Sequence, residues 1–175
     1  MLNTFSCIAK KGNNVHNNKS KKCKNCALCG KYNYKDMIDE NNYIKTVENK
    51  IIDIKPKLNC KSYGIYSAQC TKCKEIYVGQ TKNSFNVRWN AHRNNWKKFQ
   101  KNSNLVGKGD ESALFKHYFE NHHNEIENIR LDNAYKIMFL EQPEFKNLDY
   151  KESLWIKSLN AKINLNKTIY EDLIF

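Results

Sequence analysis

Two short β-rich runs separated by a cysteine pair constrain this chain most. Ser62-Tyr-Gly-Ile-Tyr-Ser-Ala and Glu75-Ile-Tyr-Val-Gly are each long enough for one strand, and Cys70-x-x-Cys73 between them allows only a tight connection. Aromatic and β-branched residues suit a pleated surface, so the two runs predict an antiparallel hairpin. A helix follows, starting near Asn83 or Ser84, either of which can cap it. Phe85, Trp89, His92, Trp96 and Phe99 recur at helical spacing and share one face, with Arg88 on its flank.

Farther along, a polar, glycine-containing stretch from Asn102 to Asp110 precedes a shorter helix expected over Ser112 to Asn121. Ile126 to Ala134 reads as a third strand, and a loop carrying Pro143 leads to a last helix over Leu148 to Leu159. Upstream, Asn42 to Ile54 mixes β-branched residues with charges and predicts a hairpin or short strands. The expected fold class is α+β, a small three-stranded antiparallel sheet flanked by helices. Its expected organisation is a flexible basic lead-in (residues 1–22), a Cys-rich zinc-binding extension (23–60) and a main domain (61–175).

Charge narrows the partner. Thirty Lys+Arg against 18 Asp+Glu leave a formal net charge of +12. That excess points to a polyanion, because Lys and Arg neutralise phosphates and release counterions. The bland alternative is a solubilising surface on a lysine-rich chain. No apolar run approaches the length of a membrane span, so no membrane partner is expected. The N-terminal MLNTFSCIAKKGNN lacks the apolar core and cleavage site of a secretory signal, so an intracellular location is expected. Thiols stay reduced there, and seven cysteines then suggest metal binding rather than disulfides.

Cys70 and Cys73 form one knuckle, and His117 lies with His122 and His123 at ligand spacing on the short second helix. Two cysteines with two histidines make a closed tetrahedral Zn2+ set, with His122 favoured and His123 its competitor; two exposed histidines beside an inert cysteine pair is the alternative. Cys23, Cys26 and Cys29 with Cys60 make a second, four-thiolate Zn2+ set, and Cys7 is left over. Leu148, Glu152, Trp155 and Leu159 put a carboxylate on the apolar stripe of the last helix. Burying a carboxylate is costly unless it is paired or bound to metal. Periodicity alone leaves a metal ligand, a buried ion pair and a snorkelling edge residue equally open.

Gly64-Ile65-Tyr66 followed by Tyr77-Val78-Gly79 resembles the signature of the GIY-YIG nucleases. Downstream, Gln80-Thr81, Arg88, His92, Glu152-x-x-Trp-Ile and Asn164 occur in that family's order, so the resemblance runs from Ser62 to Asn166. It implies a DNA endonuclease that hydrolyses phosphodiester bonds with one Mg2+ or Mn2+ held by Glu152. Tyr66 would act as, or position, the general base, supported by Tyr77. Arg88 would bind the scissile phosphate, His92 would orient the water or the tyrosine, and Asn164 would brace the site. Gly79 would let substrate backbone or a neighbouring strand approach closely. The cysteine pair inside the signature, the later histidines and the upstream CxxCxxC are similar to the endonuclease domain of Penelope-like retroelements. That likeness implies nicking of target DNA to prime reverse transcription, with a reverse transcriptase domain or element RNA as partner, in the nucleus if the element is eukaryotic. The segment ESLWIKSLNAKIN also looks like the phage homing type, which keeps a homing or repair nuclease open. From another class comes a zinc-stabilised nucleic-acid-binding module without catalysis, which would not need Glu152.

Overall fold

The computed structural model describes residues 28, 43–45, 51–53, 58, 60–105 and 113–164. The lead-in and Cys7, Cys23, Cys26 and Cys29 lie outside the described residues, so the expected four-thiolate set is outside them too; its fourth member, Cys60, is buried. Strands β1 (Tyr43–Lys45) and β2 (Ile51–Asp53) pair antiparallel, as their composition suggests. No helix among the described residues is long and apolar enough to cross a membrane.

The main sheet is built on the expected hairpin. Strand β3 (Gly64–Cys70) pairs antiparallel with β4 (Ile76–Thr81), with Tyr66 opposite Gly79 and Ala68 opposite Tyr77. Two backbone bonds close the turn: Cys70 N–H donates to Glu75 O (2.8 Å) and Lys74 N–H to Cys70 O (3.1 Å). Lys74 takes a left-handed conformation (φ 68°) to do so. The other neighbour of β3 is β5 (Tyr135–Glu141), giving the order β4-β3-β5, antiparallel throughout. β3 is therefore the central strand and is buried along nearly its whole length, on both faces.

The third strand does not lie at Ile126–Ala134, where the sequence suggested it. Residues 126–128 form a turn, and Leu131–Ala134 is one turn of helix (α3) leading directly into β5. The true strand, YKIMFLE, has four consecutive buried apolar residues from Ile137 to Leu140. A strand covered on both faces loses the period-two alternation by which strands are recognised, which explains the misplacement.

Helix α1 (Phe85–Lys101) covers the face carrying Tyr66, Ala68 and Tyr77. Its first turn is held from three sides. Ser84 Oγ accepts from Val87 N–H (3.4 Å), while Phe85 and Asn86 N–H donate to Ser62 O and Cys60 O (2.8 and 3.0 Å). These bonds satisfy donors that a helix start otherwise leaves open. Phe85 then stacks on Phe139 of β5 at 4.2 Å, and Trp96 meets Phe115 and Tyr118 of α2 (Ala113–His122). Arg93 forks onto Asp132 of α3, which also accepts from Trp89 Nε1 (2.9 Å). Helix α4 (Leu148–Ser158) closes the domain, and beyond it Ile163 N–H donates to Ile76 O (3.2 Å) along the free edge of β4.

Gly64 opens β3 at φ 135°, where a Cβ would fall 2.1 Å from Glu141 O. The pairing with β5 shifts register at Ile65/Tyr66, and this bulge is what brings the two backbones so close. Gly64→Ala is expected to destabilise the domain by about 3 kcal/mol or more, since both conformation and space exclude a side chain. Urea unfolding of the purified protein measures it, and a loss below about 1 kcal/mol would refute this account of Gly64.

Candidate active site and metal-binding group

Strand register sends the Tyr66 side chain towards α1 and places it beside Gly79. The phenol lies directly over that glycine: a Cβ at position 79 would sit 2.5 Å from Tyr66 Oη and 2.8 Å from the ring of Tyr77. Of the two neighbours the sequence left open, substrate backbone or an adjacent strand, it is the adjacent strand that comes close, through the Tyr66 side chain of β3. The missing Cβ is required by the site itself.

Around Tyr66 Oη three side chains converge. His92 Nε2 is 2.6 Å away, Arg88 Nε donates from 3.3 Å, and the Tyr77 hydroxyl also bonds the oxygen. An N–H can only donate, so the arginine contact uses a lone pair of Oη. The His92 contact suits either neutral tautomer: the phenol donates to Nε2 when the ring proton sits on Nδ1, and accepts from Nε2–H when it does not. Electrostatics agree with that neutral state. Burial, with the nearby Arg88 charge, lowers the His92 pKa to about 3. Burial also raises the Tyr66 pKa, and the opposing pull of Arg88 does not overcome it. The resting site therefore holds a neutral phenol, a neutral imidazole and a charged guanidinium.

Glu152 approaches from the other side. It is 3 % exposed on the inner face of α4 and close enough for its charge to raise the Tyr66 pKa. Its Oε2 accepts from Gln80 Nε2 (3.1 Å), and the same nitrogen donates to Asp149 Oδ1. Of these, only Glu152 was marked as a site residue from sequence; the signal for Asp149 was its position three residues earlier on the same helix. Asn164 does not touch the catalytic cluster. Its amide pairs twice with the Val78 backbone, accepting from N–H (2.8 Å) and donating to C=O (2.6 Å), and so completes the free edge of β4 next to Tyr77 and Gly79. A cleft of about 380 Å³ opens here, lined by Gln80, Lys82, Asn83, Val87, Arg88 and Asp149 among others.

At the opposite end of β3 lies a second cluster. Cys70, Cys73, His117 and His122 present ligand atoms all within 4.8 Å of one another, and this group could hold a metal ion. Cys73 Sγ is 3.3 Å from His117 Nε2, and Cys70 Sγ is 3.6 Å from His122 Nε2. His123 is exposed and outside the group. Tetrahedral zinc, with bonds of about 2.3 Å to sulfur and about 2.0 Å to nitrogen, sets sulfur and nitrogen roughly 3.5 Å apart, so the donor set and its spacing fit. Glu75 Oε2 lies 3.4 Å from His117 Nδ1, the partner that leaves Nε2 free as ligand. The group ties α2 to the β3–β4 turn.

The GIY-YIG catalytic domain family matches residues 62–164. The chain belongs to that family. This GIY-YIG domain is a nuclease catalytic domain whose signature tyrosines are Tyr66 and Tyr77. Among solved structures, the catalytic domain of the homing endonuclease I-TevI is 26% identical, covering 59% of this chain and 95% of its own, with a TM-score of 0.41. A mutant form of that intron endonuclease domain gives 26% identity, 60% and 91% coverage, and a TM-score of 0.40. No curated protein matches the chain.

Because His92 is held neutral, the fold disfavours its protonation. Unfolded, the imidazole takes a proton as pH falls through 6.5; folded, it resists down to about 3. The unfolded state thus binds more protons in that window, and stability is lost as pH falls, at up to about 1.4 kcal/mol per pH unit for one site. Denaturant unfolding of wild type and His92→Gln between pH 6.5 and 4.5 should show a shallower slope in the variant. Parallel slopes would mean that the imidazole is not held neutral.

Proposed function

We propose that this GIY-YIG domain is a metal-dependent DNA endonuclease that nicks duplex DNA for a Penelope-like retroelement. The carrying observation is the Arg88–Tyr66–His92 hydrogen-bonded chain beside the buried Glu152, at a cleft that Arg88 itself lines. A zinc-stabilised binding module has no need for a carboxylate buried against a tyrosine.

Hydrolysis needs a water deprotonated and the phosphate charge stabilised. Arg88 keeps its charge and offers its remaining N–H donors to phosphate oxygens in the cleft. Tyr66 positions the water. With the His92 ring proton on Nδ1, it can accept a water proton as its own passes to His92 Nε2, 2.6 Å away. In the free protein that transfer is disfavoured, and the negative charge of bound phosphate lowers its cost by favouring the imidazolium. Asn164 holds β4 so that Tyr77 and Gly79 keep the phenol in place. Glu152 is the carboxylate suited to a hard divalent cation such as Mg2+ or Mn2+, which when bound supplies charge neutralisation at the phosphate.

The Cys70/Cys73/His117/His122 group is read as a structural zinc site. With Cys70 and Cys73 inside the signature it supports the retroelement reading over the homing type, and with it a reverse transcriptase domain or element RNA as partner. Without a cation the Cys73 thiol is pushed up to about 11 by burial, whereas a bound metal favours the thiolate.

Two measurements test the reading. Supercoiled plasmid with Mg2+ or Mn2+ should be nicked by wild type, whereas Glu152→Ala should bind DNA and cut at least about a hundredfold more slowly. Equal cutting by both would remove Glu152 from the chemistry. Metal analysis should find about one zinc fewer in Cys70→Ser than in wild type, with a lower unfolding midpoint; an unchanged zinc content would eliminate the site.

A further inference from the structure

Gln80 is half-buried on β4, immediately after Gly79, so strand alternation points its side chain away from the Tyr66 face and towards α4. There Asp149 and Glu152 stand one helical turn apart. A glutamine nitrogen carries two hydrogens, and Gln80 Nε2 directs one at Glu152 Oε2 (3.1 Å) and one at Asp149 Oδ1. The reversed amide would set Oε1 against two carboxylates, so its neighbours fix its orientation.

We infer that Gln80 is the positioning residue for the Glu152 carboxylate, and that Asp149 serves by holding Gln80. The inference rests on the reading of Glu152 as the cation ligand. A glutamate side chain has three rotatable bonds, and ligand affinity depends on how few of its conformers compete. Glu152 is fixed at one oxygen by an N–H that Asp149 holds from behind. The amide is suited to this task because it is neutral. A lysine at position 80 would orient both carboxylates but cancel charge that a divalent cation needs, and a glutamate would offer no donor. Asp149 is exposed at the cleft, so it can anchor the amide without the desolvation cost that a second buried carboxylate would carry.

The test uses the full chain, supercoiled plasmid across a Mg2+ titration, and Mn2+ binding followed by electron paramagnetic resonance without DNA. Gln80→Met keeps the length of the side chain and removes both donors. It should raise the half-saturating Mg2+ concentration and the Mn2+ Kd by about tenfold or more, the cost typical of losing an outer partner of a metal ligand. Nicking at saturating cation should recover most of the wild-type rate, which also shows that the variant is folded. Asp149→Ala should move both cation constants the same way by a smaller factor. Unchanged Mn2+ affinity in Gln80→Met overturns the inference. So does Mn2+ binding abolished in Asp149→Ala, which would make Asp149 a ligand in its own right. A wild type that neither nicks nor binds Mn2+ sinks the nuclease reading itself, and that result appears before any variant is compared.

Discussion

The Tyr66 phenol can rest over β4 because residue 79 has no Cβ, and the antiparallel register sets that glycine directly across from it. With the ring so placed, its oxygen lies within reach of Arg88 and His92, which α1 presents one turn apart. The signature tripeptides therefore act as one object. The tyrosine of the first carries the buried hydroxyl, and the glycine of the second supplies the space for it. Any side chain at position 79 would push the phenol out of its bonds before touching the rest of the fold.

Burial then decides the protonation states. Removing Tyr66 and His92 from water penalises the phenolate and the imidazolium, and the single fixed cation, Arg88, is not strong enough to reverse the first. The site is thus at rest until charge is brought in. Negative phosphate favours the imidazolium, and positive metal near Glu152 favours the phenolate. On the proposed reading such a site is activated by the substrate and cation it uses, which limits unwanted reactivity in the free protein.

The same hairpin organises its far end differently. There the turn after β3 carries Cys70 and Cys73, and α2 brings His117 and His122 to them. One strand thus runs from the Cys/His group at its C-terminal end towards the Tyr66 cluster and the buried Glu152 near its N-terminal end. Central placement of β3 makes both ends rigid with respect to each other, because it is paired on both edges and covered on both faces.

Much of this was legible in the chain alone. Local signals were clear in the aromatic stripe of α1 and the paired tripeptides of a hairpin, whereas the cap of α1 was open between Asn83 and Ser84 and the structure uses Ser84. Glu152 stood out because a carboxylate on an apolar stripe must have a partner. The third strand was placed too early, because full burial erased the alternation that marks strands. No local signal marked Tyr66 as the part of the adjacent strand that lies over Gly79, or Gln80 and Asp149 as a pair. Those features depend on which residues face one another across strands and between β4 and α4, at separations of up to 72 residues. By itself the sequence determined the signature hairpin, the main helices, the family and the chemical kinds available, since these follow from local periodicity and residue type. Only the tertiary structure decided that His122 rather than His123 joins the cysteines, that the Tyr66 phenol meets His92, and that one amide holds two carboxylates. Distance and burial between segments remote in sequence settle such questions, and no local pattern records them.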